Sequence, residues 1–170
     1  TGAAVGIAGV NRDITERRKT EKGLQESESR FRSIIEASPV PYALNDEQQN
    51  IIDLNQAFVN TFGYTLEDIP TLEEWLLKAY PDEEYRWWVA TTWQEHLDLA
   101  LQTGNPFEAM ELNIHCKDGT IRTAIVGAAG LEEALKGAHL VILYDITERK
   151  QAEIELSRRA KELDALQKTL

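Results

Sequence analysis

The spacing of hydrophobic residues divides the middle of this chain into strand and helix segments. PYALND and NIIDLN are short apolar runs on either side of the polar turn DEQQ, and this pattern predicts a β-hairpin. Three segments with helical patterns follow, and glycines predict the ends of the first and third: QAFVNTFGY, TLEEWLLKAY and DEEYRWWVATTWQEHLDLALQTG. The first half of the core is therefore predicted to hold two strands and several helices.

Strand patterns return in the second half of the core. In FEAMELNIHC the residues Met110, Leu112 and Ile114 alternate with polar ones, which predicts a half-buried strand. The turn KDGT leads into its partner TIRTAIVGAAG, and HLVILY is apolar on both faces, as in a central strand. This order of elements predicts an α+β fold, with a five-stranded antiparallel sheet and helices packed on one face.

A nearly identical hexapeptide occurs twice, as DITERR at 13–18 and DITERK at 145–150. Each copy follows a β-like run, GIAGVNR or HLVILY, and precedes a long charged segment without proline. Asp at a helix N-cap accepts hydrogen bonds from first-turn amides, and Glu three places on can bond back to the cap. We therefore expect Asp13 and Asp145 to cap two long flanking helices, with Glu148 completing the second cap.

Both flanking helices are predicted to carry one narrow apolar stripe. The stripe contains Leu24, Phe31 and Ile34 in the first helix, and Leu156, Leu163 and Leu166 at heptad positions in the second. So narrow a stripe buries too little to stabilise a lone helix. The pattern favours pairing between two subunits of a homodimer over a helix docked on its own domain, and leaves parallel and antiparallel pairing open.

Charge and composition exclude several partners. The chain has a net charge of −11, and within residues 37–145 there are 5 Lys or Arg against 18 Asp or Glu. Such an acidic core repels phosphate backbones, so nucleic acid is not an expected partner. No apolar run approaches the ~20 residues of a membrane span, and the single Cys116 cannot form an internal disulfide. We expect a soluble, cytoplasmic domain without direct membrane contact.

Several of these segments together resemble the PAS, or sensory-box, domains of bacterial multidomain signalling proteins. IIEASPVPYALND followed by IIDLNQAFVNTFGYTLEDI resembles the opening half of such a domain, ELNIHCKDGTIR its later hairpin, and DITERK the motif that closes it. The resemblance covers about residues 27–150 and implies the PAS fold. It also implies a tandem arrangement: residues 1–12 as a remnant of a preceding PAS domain, 13–36 a connecting helix, 37–146 the core and 147–170 a signalling helix.

The resemblance implies a sensory function rather than catalysis. Such a module binds a small molecule or dimerises, and relays a signal through its exit helix, here Asp145, Ile146, Thr147 and Glu148, to an effector such as a histidine kinase or diguanylate cyclase. Neighbouring PAS or GAF domains are the implied partners in a longer chain. The alternative is a PAS spacer without a ligand, which only dimerises and transmits. No HExxH, GxSxG or phosphate-loop pattern occurs, so we predict no catalytic or metal site.

PAS domains bind ligands between their helices and the concave face of the sheet. All four tryptophans lie between residues 75 and 93, and their rings can enclose a flat or cationic ligand or else fill the core. The candidate pocket residues are Phe58, Trp75, Tyr80, Trp88, Met110, Leu112, Ile114 and Ile142.

The resemblance leaves the identity of any cofactor open. Flavin-binding relatives carry a reactive cysteine in an Asn-Cys-Arg-Phe-type motif, which is absent, because Cys116 precedes the KDGT turn instead. Haem-binding relatives place an axial histidine on the long helix, where His96 lies. A partly exposed histidine beside Glu95 and Asp98 is the favoured alternative for that residue.

Overall fold

The computed structural model describes residues 3–130 and 138–170, with side chains described from residue 13 onward except at positions 28, 31, 32, 35 and 130. The chain divides into two compact units, Thr1–Ser38 and Pro39–Leu170. Among the described residues, the first unit is one helix, and the second holds the sheet and the four other helices.

The first unit corrects the predicted strand at GIAGVNR. Helix α1 runs without a break from Ala3 to Ala37, so residues 6–12 are helical and Asp13 lies inside the helix rather than at its cap. A strand needs a neighbour to pair its main-chain groups, whereas a helix pairs them internally. Leu24 and Ile34 are exposed by 61% and 70%. The side chain of Phe31 lies outside the described part of the chain.

The second unit contains a five-stranded sheet, which confirms the predicted fold class. The strands run in the spatial order β2-β1-β5-β4-β3, and every neighbouring pair is antiparallel. Strand β5 is central, as its apolar sequence predicts. The strands are β1 Tyr42–Asn45, β2 Ile51–Leu54, β3 Met110–His115, β4 Ile121–Gly130 and β5 His139–Asp145.

Three helices lie between β2 and β3 in the chain, and a fourth follows β5. They are α2 Gln56–Phe62, α3 Leu72–Ala79, α4 Glu83–Thr103 and α5 Thr147–Lys168. Asn55, Thr71 and Asp82 cap the first three by accepting hydrogen bonds from amides of the first turn. Gly63 and Gly104 end α2 and α4 with φ of 83° and 69°, in the left-handed conformation that glycine adopts without strain.

Helices α2, α3 and α4 cover one face of the sheet. Phe58, Trp75 and Val89 from α2, α3 and α4 share a hydrophobic core with Leu112 and Leu143 from the strands. Neighbouring residues on β5 point the other way, and Ile142 and Tyr144 are exposed by 42% and 55%. The helix-covered face is therefore the one that can enclose a ligand.

Candidate functional site

A cavity of about 1240 Å³ lies between α3, α4 and the helix-covered face of the sheet. Its apolar walls come from both layers, with Trp75 and Tyr80 on the helix side and Leu112, Val126 and Leu143 on the strand side. A volume above 1000 Å³ exceeds the ~300–1000 Å³ typical of small-molecule sites. The space is therefore large enough for an organic ligand.

An aromatic cluster forms the wall of the cavity at the junction of α2 and α3. The ring of Trp75 lies 5.4 Å from that of Phe58, 5.9 Å from Tyr64 and 6.3 Å from Tyr80, measured between ring centres. Tilted and edge-to-face contacts of this kind stabilise a fixed arrangement of rings. Burial raises the pKa of Tyr80 far above its ordinary value, and the neighbouring Tyr85 adds to this shift. The Tyr80 hydroxyl therefore stays neutral.

The rim of the cavity is negatively charged among the described residues. Arg86 is the one arginine there, and its Nη1 atom donates to the carbonyl oxygens of Tyr80 and Pro81 at 2.9 and 3.2 Å. Its guanidinium is thus partly engaged by the main chain just before α4. The lining carboxylates are Asp46, Glu47, Glu73, Asp82, Glu83 and Glu84.

Four of the predicted pocket residues do line the cavity: Phe58, Trp75, Tyr80 and Leu112. Met110 and Ile114 are 4% and 0% exposed and belong to the same core, but they lie outside the lining. The alternation of β3 correctly predicted the buried face of this strand, while only the packing of the helices decides which of its residues adjoin empty space.

Two other predicted pocket residues, Ile142 and Trp88, lie outside the cavity lining. Ile142 points to the face opposite the cavity because side chains alternate along β5, so Val141 and Leu143 line the cavity in its place. Trp88 is 44% exposed and stacks on Tyr85 with ring centres 5.6 Å apart, while its neighbour Trp87 lines the cavity.

Sequence reasoning also missed cavity residues on the long helix and on β4. Trp93 and Leu97 line the cavity from α4, one helical turn apart, and Val126 and Ala128 line it from β4. The spacing of these residues in the sequence could have identified both pairs. Positions four apart share a helix face, and positions two apart share a sheet face.

His96 lies outside the cavity lining, contrary to the position that a haem ligand would need. Its Nδ1 atom is 2.7 Å from the carbonyl oxygen of Glu108, and its Nε2 atom is 3.9 Å from the Glu108 carboxylate. Helical rotation turns this side chain toward the segment after α4, while Trp93 and Leu97 face the cavity. Among the described residues, no cluster of His, Cys, Asp or Glu could hold a metal ion.

A second set of polar contacts lies where β5 passes into α5. Asp145 Oδ1 accepts hydrogen bonds from Thr147 N–H at 3.0 Å and from the Thr147 hydroxyl at 2.5 Å. Asp145 Oδ2 accepts from Arg122 Nη1 on β4 at 2.8 Å. Burial alone would raise the pKa of Asp145, but the bonds from Thr147 and Arg122 lower it below its ordinary value. The residue is therefore an anion at neutral pH.

The detail of this junction corrects the predicted cap. Ile146, not Asp145, is the N-cap residue of α5, and it makes no side-chain cap bond. Glu148 is exposed, and the N–H of Ile146, the residue at the actual cap, donates to the Thr123 carbonyl oxygen at 2.8 Å. Pairing with β4 thus replaces the capping box. Asp145 stabilises the helix start from one residue earlier, through Thr147.

The stripe predicted along α5 is exposed in the single chain. Leu156, Leu163 and Leu166 are 61–66% exposed. Ion pairs between residues three or four apart flank the stripe, for example Arg158 with Glu162 at 2.6 Å. None of the described helices combines the length and apolar character needed to cross a membrane.

Comparison with known proteins agrees with this fold. Residues 29–96 match a family model described as PAS domain. The sensor histidine kinase TmoS of Ectopseudomonas mendocina is 29% identical over 142 residues, which are 82% of this chain and 14% of that protein. The methyl sulfide methyltransferase-associated sensor of Methanosarcina acetivorans is 29% identical over 146 residues, 85% of this chain and 14% of that protein.

Among solved structures, the PAS domain of an HTR-like protein from Haloarcula marismortui has the same fold. It superposes with a TM-score of 0.50 at 20% identity, over 76% of this chain and 99% of that one. Residues 29–96 thus match the PAS family, the core has the PAS fold, and the chain is homologous to regions of sensor kinases. It spans 14% of the length of each of the two relatives named above.

Proposed function

We propose that this PAS domain binds a small organic molecule in the cavity and relays its presence through α5 to a downstream effector domain. The observation that carries the proposal is the cavity of about 1240 Å³ against the sheet whose central strand leads directly into α5. Catalysis then belongs to the effector, a histidine kinase or a diguanylate cyclase, and the domain itself acts in the cytoplasm.

The lining favours a flat or cationic ligand. Aromatic faces attract organic cations through their quadrupole, by about 0.5–2 kcal/mol for each good contact. The carboxylates on the rim raise the local concentration of cations, because a cleft lined by one sign of charge focuses the field. Tyr80 and Trp75, which are 2% and 8% exposed, supply buried rings to the lining.

Strand β5 offers a direct route from the cavity to α5. Leu143 lines the cavity, and Asp145, on the same face of the strand two residues later, bonds to the first residue of α5. A ligand that displaces Leu143 therefore acts on the strand that positions the helix. The ligand shifts the equilibrium only by the difference in its affinity for the two positions.

The exposed stripes support a homodimer as the working unit. Leu156, Leu163 and Leu166 lie on one side of α5, and burying each against a partner subunit would contribute roughly 1.5–3 kcal/mol. Paired exit helices carry a change in starting angle as a change in rotation or register. Neighbouring PAS, GAF or effector domains in a longer chain would receive that change.

Native and denaturing mass spectra of the purified protein, with an absorption spectrum of the same sample, test this proposal. A bound mass that is lost on denaturation supports a ligand sensor, and a Soret band would identify that ligand as haem. If native spectra show only the protein mass and no probe from a panel of aromatic cations and neutral aromatics binds, the ligand proposal is wrong.

The second candidate function is a relay without a ligand. The close contacts of Trp75 with Phe58, Phe62 and Tyr64 favour it, because these rings already fill the space beneath α2. In that case the protein is a dimer whose thermal unfolding does not respond to any probe of the cavity.

A further inference from the structure

Tyr85 lies in the first turn of α4, and the ring of Tyr80 separates it from the cavity. Its ring centre is 5.8 Å from that of Tyr80, which lines the cavity, and 5.6 Å from that of Trp88. Its main-chain N–H donates to the cap residue Asp82 at 2.7 Å. Because packed rings compress little, a movement of Tyr80 on filling the cavity must displace the ring of Tyr85.

The hydroxyl of Tyr85 bonds to the edge of the sheet. It accepts a hydrogen bond from the main-chain N–H of Asn113, in β3, at 3.0 Å. Strand β3 is an edge strand, so amides on its outer side have no strand to pair with. Tyr85 therefore takes the position of a missing strand partner at this one residue.

The side chain of Asn113 makes the next hydrogen bond, to the neighbouring strand β4. Its side-chain Oδ1 accepts from the Thr123 hydroxyl on β4 at 2.9 Å. The main-chain N–H of Thr123 then donates to the Thr147 hydroxyl oxygen at 3.0 Å, and Thr147 is the first residue of α5. A continuous series of hydrogen bonds thus joins α4 to the start of α5.

A parallel contact ties α5 to the same strand. Lys150, in the first turn of α5, pairs with Glu111 of β3 at 2.7 Å, and Glu111 lies on the same face as Asn113. The first turn of α5 is thus fastened to both β3 and β4. A displacement of β3 at Asn113 reaches the helix by two routes.

We propose that Tyr85 is the residue that couples the cavity to the exit helix, acting through Asn113, Thr123 and Thr147. It is a positioning residue: it holds Asn113, and Asn113 sets the hydrogen bonds that fix the start of α5. The inference rests on the relay proposed above and specifies the residues through which that relay passes. A change in the cavity then has two routes to α5: one through α4 and the edge of the sheet, and the direct one along β5.

Amide hydrogen exchange measured by NMR in the unliganded 170-residue chain tests the coupling with Tyr85→Phe. This variant removes the hydroxyl and keeps the ring contacts with Tyr80 and Trp88. Loss of one hydrogen bond predicts about fivefold faster exchange at Asn113, and coupling predicts a similar increase at Thr123 and Thr147. The amide of Ile51, which donates to Pro70 O on the opposite edge, should keep its wild-type rate.

Two further variants make the test specific. Tyr144→Phe removes an exposed hydroxyl from β5 and should leave Thr147 unchanged. Asn113→Ala keeps the main-chain bond to Tyr85 but removes the bond to Thr123. Exchange should therefore rise at Thr123 and Thr147, while the amide at position 113 keeps its wild-type protection factor.

Faster exchange in Tyr85→Phe at Asn113 alone overturns the coupling, since the hydroxyl is then only a local partner. An equal increase at Ile51 also overturns it, because the hydroxyl then stabilises the whole domain. No ligand enters this measurement. A negative result therefore removes the Tyr85 route and leaves ligand binding to be decided by its own experiment.

Discussion

The guanidinium of Arg122 lies 2.8 Å from the carboxylate of Asp145, and the other oxygen of that carboxylate bonds to Thr147. One side chain at the end of β5 thus joins the neighbouring strand to the exit helix. The side chains of Arg122 and Asp145 are 39% and 24% exposed, so the contact lies at the surface of the sheet end. We expect this contact to matter more for the position of α5 than for the stability of the domain.

Asp145→Ala should change signal output in a longer, effector-containing protein without unfolding the domain. Losing the Thr147 and Arg122 bonds should cost about 1 kcal/mol, because the site is partly solvated. That is enough to shift a balanced equilibrium about fivefold if the two states use these bonds differently. Asp164→Ala, which removes a surface ion pair with Lys168 on the same helix, is the matched control. Unchanged output in Asp145→Ala would count against the relay.

The ion pair between Lys117 and Asp68 should make stability depend on acid pH. Hydrogen bonds from Lys117 and Thr65 lower the pKa of Asp68 from 3.8 to about 2. Because the folded pKa is lower than the unfolded one, the contribution is complete above about pH 4 and disappears as pH falls toward 2. The difference in denaturation midpoint between wild type and Asp68→Asn should shrink over that range. A constant difference would show that ionisation of Asp68 does not stabilise the fold.

A side chain at Gly63 is expected to lower the stability of the domain. Its φ is +83°, and an added Cβ would lie 3.1 Å from the Cβ of Lys117. Gly63→Ala should lower the free energy of unfolding by about 1–2 kcal/mol in chemical denaturation, from backbone strain plus crowding. Gly104→Ala is the control: at φ +69° and with no atom within 4 Å of an added Cβ, it should show the backbone strain without the crowding. Equal losses in the two variants would contradict a steric role for Lys117.

Carboxylates on the rim should select cationic ligands. Replacing both Glu73 and Glu83 by Gln should weaken binding of benzyltrimethylammonium about fivefold at low salt and leave binding of toluene unchanged. Tryptophan fluorescence can follow both titrations, because Trp75 and Trp93 line the cavity. Glu74→Gln is the control, since Glu74 shares the first turn of α3 with Glu73 but lies outside the lining. Equal loss for both probes would contradict selection by charge.

The stripe on α5 should hold a dimer together. Leu163→Glu places a charge in the stripe and should convert a dimer to a monomer in sedimentation velocity, because burying an unpaired carboxylate is costly. Lys161→Glu changes the charge of the same helix by one unit more, but outside the stripe, and should leave the dimer intact. A wild-type monomer at micromolar concentration would make this interpretation of the stripe wrong.

The pattern of residues by itself determined most elements of the core. Alternation in MELNIH predicted that Met110, Leu112 and Ile114 share a buried face, and the structure confirms it. Gly63 and Gly104 marked the ends of α2 and α4 for the same local reason, since each allows the left-handed turn that stops a helix. These predictions succeed because they depend on residues within one or two turns of each other.

Only the tertiary structure decided which of these residues meet. Ile142 and Leu143 are equally apolar, and packing of helices against one face of the sheet alone places Leu143 at the cavity and Ile142 outside it. The cap position of α5 is Ile146 rather than Asp145, and the N–H of Ile146 donates to the carbonyl oxygen of Thr123, 23 positions earlier. The bond between Tyr85 and Asn113 likewise spans 28 positions. Periodicity is a local property of the chain, whereas such contacts depend on how distant elements pack together.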